Sequence, residues 1–320
     1  MRYRCAVLDD YQDIALSSAD WSSVTGEIDV RVFNEPFATP EEAKRALAGF
    51  HIICAMRERT PFPRDLIGAL PDLKLLITTG AKNNSFDLAA AAERGVVVCS
   101  TGGHGNPTIG IVFGLMLELT RRIGFENARM KAGARWQVTL GTDLEGLTLG
   151  IVGLGKLGRR VATVAQAFGM KVIAWSQNLT TEACRAAGVE HVAKEELFAT
   201  ADIVSVHLVL SPRSRGLIGA AELALMKPTA YLINTARGPI VDESALIAAL
   251  SERRIGGAGL DVFATEPLPV DHPFRKLDNV VLTPHLGYVS RQNYARYFAD
   301  TVEDIRAFLD GKPVRVISAA

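Results

Sequence analysis

The sequence carries no excess charge of either sign. Lys+Arg and Asp+Glu both number 35, so the formal net charge is zero. Nucleic acid calls for a basic surface, and this balance argues against such a partner, although one or two arginines can still build a local anion pocket. No apolar run approaches the roughly 18 residues that a membrane span needs. Residues 1–13 hold no apolar segment with a small-residue cleavage site, so neither a secretory leader nor a membrane partner is expected. Cysteine is scarce: Cys5, Cys54, Cys99 and Cys184 are scattered, none forms a CxxC, and three sit in strand-like apolar runs. Buried free thiols of a cytoplasmic protein are expected, with no disulfide and no metal site.

What the chain has in plenty is apolar patterning. Hydrophobic residues make up 48% of 320 residues, enough for a core in each of two domains. Apolar runs at 4–8, 28–33, 52–55, 73–78 and 96–99 alternate with helical patterns such as 40–48 and 86–94. That alternation predicts a parallel α/β sheet. A long amphipathic stretch, 107–134, opens with Pro107 and predicts one connecting helix. A second βαβ series begins at 147 and continues through 171–175, 202–207, 230–234, 256–261 and 280–282. The tail predicts a helix over 291–309 and a short strand over 313–317.

The strongest local signal is GxGxxG at Gly153, Gly155 and Gly158, placed after a buried run and before a helical one. This is a dinucleotide-binding fingerprint. The first glycine permits the turn, the second admits a pyrophosphate close to the backbone, and the third lets helix pack on strand. Free N–H groups at the helix start, from Lys156 and Leu157 onward, suit phosphate. An acid normally ends the next strand, where it holds the ribose hydroxyls of NAD. Here Ser176 stands there, followed by Gln177 and Asn178. No carboxylate repels a 2′-phosphate and no arginine stands there to bind one, so NAD and NADP both remain open. Arg159 or Arg160 could help to hold a 2′-phosphate, although a solvated helix face is the expected place of both.

Three further segments put polar residues just after apolar strands: 232–243 with Arg237, 257–268 with Glu266, and 282–288 with His285. Ligands of open α/β sheets bind at the carboxyl ends of strands, so these three side chains are candidates for one cleft. Together with the glycine loop, and with segments 94–100 and 202–207, they resemble the D-isomer-specific 2-hydroxyacid dehydrogenase family. The resemblance covers nearly the whole chain. It implies two doubly wound parallel-sheet domains, a Rossmann-type cofactor domain (104–287) inserted into a flavodoxin-like substrate domain (1–103 and 288–320). Hinges are expected at 101–106 and 287–290, with the substrate domain closing to exclude water. Family members pair through the connecting helix region, so a homodimer is expected.

The resemblance also implies roles. His285 matches the general acid/base, a task that suits histidine because an unperturbed imidazole has a pKa of about 6.5. Glu266 matches its carboxylate partner, which fixes the ring tautomer. Arg237 matches the arginine that grips the substrate carboxylate or polarises its C2 carbonyl. Asp261 resembles the residue at the nicotinamide carboxamide. His207, Thr235 and Ala236, with Arg237 and His285, complete the expected cofactor contacts; His207 reads equally well as a strand cap. Substrate contacts from the first domain are expected at Arg57 and at the backbone of Gly80, Ala81 and Lys82. The family often has glycine where Lys82 stands. Val209 replaces a frequent proline, and Thr108-Ile109-Gly110 departs from the usual opening of the connecting helix.

Hydride transfer between NAD(P)H and C2 of a small 2-oxo or 2-hydroxy acid is therefore the expected activity. Arg57 matches a phosphate-binding arginine of phosphoglycerate dehydrogenases. Its companion would fall at Thr78 and is missing, and the chain ends at Ala320 without room for their regulatory domain. Glyoxylate or hydroxypyruvate is thus favoured over 3-phosphoglycerate. The other alternative is an NAD(H)-sensing binding protein of the C-terminal-binding-protein corepressor type.

Overall fold

The computed structural model describes residues 2–318 and divides into two compact units, Met1–Gly105 with Val289–Ala320, and Asn106–Tyr288. In the first unit, strands β1 (Tyr3–Val7), β2 (Ile28–Val32), β3 (Ile52–Ala55), β4 (Leu75–Thr78) and β5 (Val97–Ser100) form one sheet. All are parallel, in the order β2-β1-β3-β4-β5. The interior strands β3 and β4 are buried at every position, as a parallel sheet covered on both faces requires, while edge strand β2 alternates. Leu47, Phe50, Phe62, Ile67 and Leu76 fill one core layer. Helix starts follow local chemistry. Thr39, Asp87 and Ser290 each accept a backbone N–H from the first turn of the helix they precede.

The second unit holds β6 (Thr148–Val152), β7 (Lys171–Trp175), β8 (Glu190–His191), β9 (Ile203–Val206), β10 (Tyr231–Asn234), β11 (Gly257–Leu260) and β12 (Val280–Leu282). They form one parallel sheet in the order β12-β11-β10-β9-β6-β7-β8. The chain order reverses between β6 and β9, the switch point at which doubly wound sheets open a ligand crevice. Separate apolar layers cover the two faces of the sheet. Val112, Leu115 and Met116 pack with Val161 and Ala165 in one; Leu197, Leu223, Leu246 and Leu250 lie in the other. The fold is thus the expected pairing of a Rossmann-type sheet with a flavodoxin-like one.

Two expected elements differ. The single helix over 107–134 is two helices, Thr108–Arg121 and Ile123–Lys131, because Arg122 adopts a left-handed conformation (φ 52°). Its N–H still closes onto Glu118 O, and the Glu118 carboxylate accepts the Gly124 N–H, so side-chain capping supports the break. The strand expected over 313–317 reduces to one antiparallel bridge, Val316 to Cys99. It is flanked by hydrogen bonds from Ser100 N to Arg315 O and from Ile317 N to Val98 O.

Candidate active site

Six strand ends of the second unit carry the candidate residues. Gly153–Gly158 follow β6, Ser176 follows β7 and His207 follows β9. Thr235–Arg237 follow β10, Asp261 through Glu266 follow β11, and Thr283–His285 follow β12. All strands run parallel, so every one of these groups emerges at the same edge of the sheet.

At its centre His285 Nδ1 meets Glu266 Oε2 at 2.6 Å. A carboxylate only accepts, so Nδ1 carries the proton toward Glu266, which sets the ring tautomer. The other oxygen, Glu266 Oε1, accepts the Phe263 N–H at 3.0 Å, which fixes the carboxylate in turn. Both side chains are about one-fifth exposed, shielded enough to strengthen the pair and open enough to meet a substrate.

His285 has φ of 52°, a left-handed value that a non-glycine residue keeps only when its surroundings hold it there. Asp261 supplies that hold. Its fully buried carboxylate accepts Thr283 Oγ1 (2.6 Å), Leu286 N (2.7 Å) and Gly287 N (2.8 Å), bracketing His285 on both sides. Burial pushes the Asp261 carboxyl above the usual range while these donors oppose the shift. Thr283 was not among the residues singled out from the sequence, and nothing local in Leu-Thr-Pro-His marks it.

Arg237 lies in an ordered turn. Asn234 accepts the Ala236 N–H through Oδ1 and donates through Nδ2 to Arg237 O, while Arg237 Nη1 donates to Ala236 O at 2.8 Å. Asn234, 1% exposed, is a second positioning residue that the sequence reading missed. Gly238 explains why glycine follows the arginine. A Cβ there would stand 2.1 Å from Phe263 C and 2.6 Å from Ala264 N. The turn bearing Arg237 therefore rests directly on the backbone that leads to Glu266.

The glycine loop fits a dinucleotide. Added Cβ atoms would strike His207 C at 2.9 Å from Gly153 and Gly153 O at 2.2 Å from Gly158, whereas at Gly155 a Cβ would meet nothing within 4 Å. The backbone is closed below and open above the helix start, as a pyrophosphate cradle requires. Two buried polar atoms on neighbouring strand ends, His207 Nδ1 and Thr235 Oγ1, have no hydrogen-bond partner among the described residues and so are available to a ligand. Burial lowers the His207 ring to about 4, keeping it neutral, and its Nε2 pairs with Ser205 Oγ at 2.9 Å.

In the first unit Arg57 also has a left-handed φ, 54°. Its guanidinium fills the place of a Cβ on Gly80, and Nη1 donates to Thr79 O. Asn83 Nδ2 donates to Arg57 O and to Thr78 Oγ1. The Gly80 N–H, expected to face substrate, is donated to Thr101 Oγ1 at 2.8 Å. Ala81 and Lys82 are exposed.

Comparison with known proteins identifies the family. The family described as D-isomer specific 2-hydroxyacid dehydrogenase, NAD binding domain, matches residues 113–287. The chain belongs to that family. It is 37% identical over 257 residues to a glyoxylate reductase of Aeropyrum pernix, covering 78% of this chain and 77% of the relative. With a glycerate dehydrogenase of Methylorubrum extorquens it shares 36% over 310 residues, 91% and 95% of the two chains. A phosphoglycerate oxidoreductase structure from Vibrio cholerae superposes with a TM-score of 0.91 at 33% identity, covering 97% of this chain and 99% of that one. The chain spans about half the length of the D-3-phosphoglycerate dehydrogenases it matches. It is thus an NAD(P)-dependent 2-hydroxyacid dehydrogenase, an oxidoreductase exchanging a hydride with C2 of a small hydroxy acid. Among the described residues no helix is long and apolar enough to cross a membrane.

Proposed function

We propose that this dehydrogenase reduces a small unphosphorylated 2-oxo acid of the glyoxylate or hydroxypyruvate type to the D-2-hydroxy acid. The observation that carries the assignment of roles is the 2.6 Å Glu266–His285 pair beside the Arg237 turn. Arg237 pairs with the substrate carboxylate and draws charge from the C2 carbonyl. His285 Nε2 hydrogen-bonds the carbonyl oxygen and gives it a proton as C2 becomes tetrahedral, so no free alkoxide forms. Glu266 stabilises the imidazolium before that transfer and holds the neutral ring afterwards. The nicotinamide, when bound, supplies the hydride to C2. In the oxidation direction the same groups run in reverse, with His285 taking the hydroxyl proton.

The glycine loop Gly153–Gly158, Ser176, Gln177, His207, Thr235 and Ala236 are assigned to the cofactor, and Asp261 to holding the His285 segment beside it. The family resemblance adds Arg57 and the backbone of Ala81 and Lys82 as substrate contacts. The Gly80 N–H joins them once it leaves Thr101. Thr78, fully buried on β4, leaves Arg57 without the second arginine that would favour a phosphorylated substrate.

The enzyme is further proposed to act as a homodimer in the cytoplasm. Ile123, Phe125, Met130, Trp136, Val138 and Leu140 are all exposed within one short stretch, an apolar patch that water disfavours and a second copy would cover. Sedimentation of wild type and Trp136→Asp tests this, and a monomeric wild type rejects it. The activity is tested by oxidation of NADH and NADPH with glyoxylate, hydroxypyruvate, pyruvate, phenylpyruvate and 3-phosphohydroxypyruvate. Preference for the phosphorylated acid would overturn the substrate assignment. Tight nucleotide binding without turnover of any of them would favour the sensor reading.

A further inference from the structure

We propose that this enzyme selects NADP(H) over NAD(H), and that Arg159 is the side chain that pairs with the 2′-phosphate. The inference rests on the assignment of the glycine loop and the end of β7 to the cofactor.

The ribose of a dinucleotide bound at a GxGxxG loop lies at the carboxyl end of the second strand, here β7. After Trp175 the chain reads Ser176-Gln177-Asn178-Leu179-Thr180-Thr181, and Glu182 is the first carboxylate. The position that accepts both hydroxyls of an NAD ribose therefore offers a half-buried hydroxyl and an exposed amide instead. Neither repels a dianion, and both can donate to one.

The missing cation comes from the preceding helix, Lys156–Ala167. Arg159, Thr163 and Gln166 share one face at the spacing of helix turns. That face is turned toward the segment after β7. Gln166 Nε2 donates to Gly188 O at 2.7 Å, and the Arg159 guanidinium opposes the upward shift that burial imposes on the Cys184 thiol, in the helix Thr181–Arg185. Arg159 thus stands at the end of this face nearest the glycine loop, one turn in from Gly155, whose carbonyl accepts its backbone N–H. It is exposed, and no carboxylate among the described residues forms an ion pair with it. Arg160, one residue on, points about 100° further round the helix and away from this face. The first turn contains no acid, so the field around the helix start is positive.

The test is direct binding to the apo-protein by calorimetry, with 2′,5′-ADP and 5′-AMP as probes. These differ only in the group at issue. One charge-assisted contact to phosphate corresponds to about a tenfold difference or more, so 2′,5′-ADP is expected to bind at least about tenfold more tightly than 5′-AMP. Arg159→Ala should remove most of that difference and leave 5′-AMP binding unchanged; Arg159→Lys should retain part, and Arg160→Ala all of it. Ser176→Asp should reverse the preference. Equal affinities, tighter 5′-AMP binding, or a preference indifferent to Arg159→Ala would overturn the inference while leaving the cofactor site in place. Failure of both nucleotides to bind would overturn the cofactor-site assignment itself.

Discussion

Replacing Gly238 by alanine should disable catalysis without touching any reacting group. The added Cβ would lie 2.1 Å from Phe263 C, 2.2 Å from Phe263 O and 2.6 Å from Ala264 N. Carbon atoms rest at about 3.5 Å or more, so the two backbone segments must part by roughly 1 Å. Neither is the free end of a flexible side chain. One carries Arg237 and the other leads to Glu266, whose Oε1 is itself tied to Phe263 N. The displacement therefore reaches both the substrate cation and the partner of His285. A misplacement of about 1 Å costs on the order of a hundredfold in rate, and overpacking of this kind costs about 1–3 kcal/mol of stability. Steady-state kinetics should show kcat/KM down by about two orders of magnitude. Thermal melting should drop by only a few degrees. Wild-type kinetics in a folded Gly238→Ala protein would refute the view that contact between these two turns sets the geometry.

Other outcomes follow from individual residues. His285→Ala should lower kcat by about 10²–10⁴ with cofactor binding intact, and near-normal turnover would remove His285 from the mechanism. Arg237→Ala should raise the KM for the 2-oxo acid about 10- to 100-fold; an unchanged KM would place the carboxylate elsewhere. Asp261→Ala leaves Thr283 Oγ1 and the N–H groups of Leu286 and Gly287 without their acceptor, at a cost of about 3 kcal/mol or more. Denaturant unfolding within about 0.5 kcal/mol of wild type would contradict that role. Asp304 gives a pH test. Burial lifts its carboxyl from 3.8 to about 7, against the pull of Arg315 and with Asp300 and Glu303 adding to the rise. A raised folded-state value means that the group's contribution to stability is full below about pH 4 and lost as the pH rises through about 7. Melting temperature should thus fall between about pH 4 and pH 7 in wild type, and Asp304→Asn should flatten that slope. An unaltered slope would assign the titration to another group.

Several features were legible in the sequence because their causes are local. The alternation of apolar runs and helical patterns marks parallel strands buried on both faces, since burial requires continuous apolar composition. Gly153, Gly155 and Gly158 stand out in the sequence because one short turn imposes all three demands. Arg237, Glu266 and His285 were recognisable as strand-end polar residues, and parallel topology alone brings such ends to one edge of the sheet.

What only the tertiary structure decided lies in contacts between segments distant in the chain. Asp261 brackets a histidine 24 positions later (285 − 261) through two backbone N–H groups and a threonine hydroxyl. Gly238 is required by Phe263, and Gly80 surrenders its N–H to Thr101. Arg122 breaks a helix whose periodicity runs on without pause, because capping by Glu118 outweighs propensity. Composition and periodicity report what a residue prefers on its own, so they determined the architecture and the chemical parts. Hydrogen-bond partners and close approaches depend on which segments the fold brings together, and those set the geometry in which the parts act.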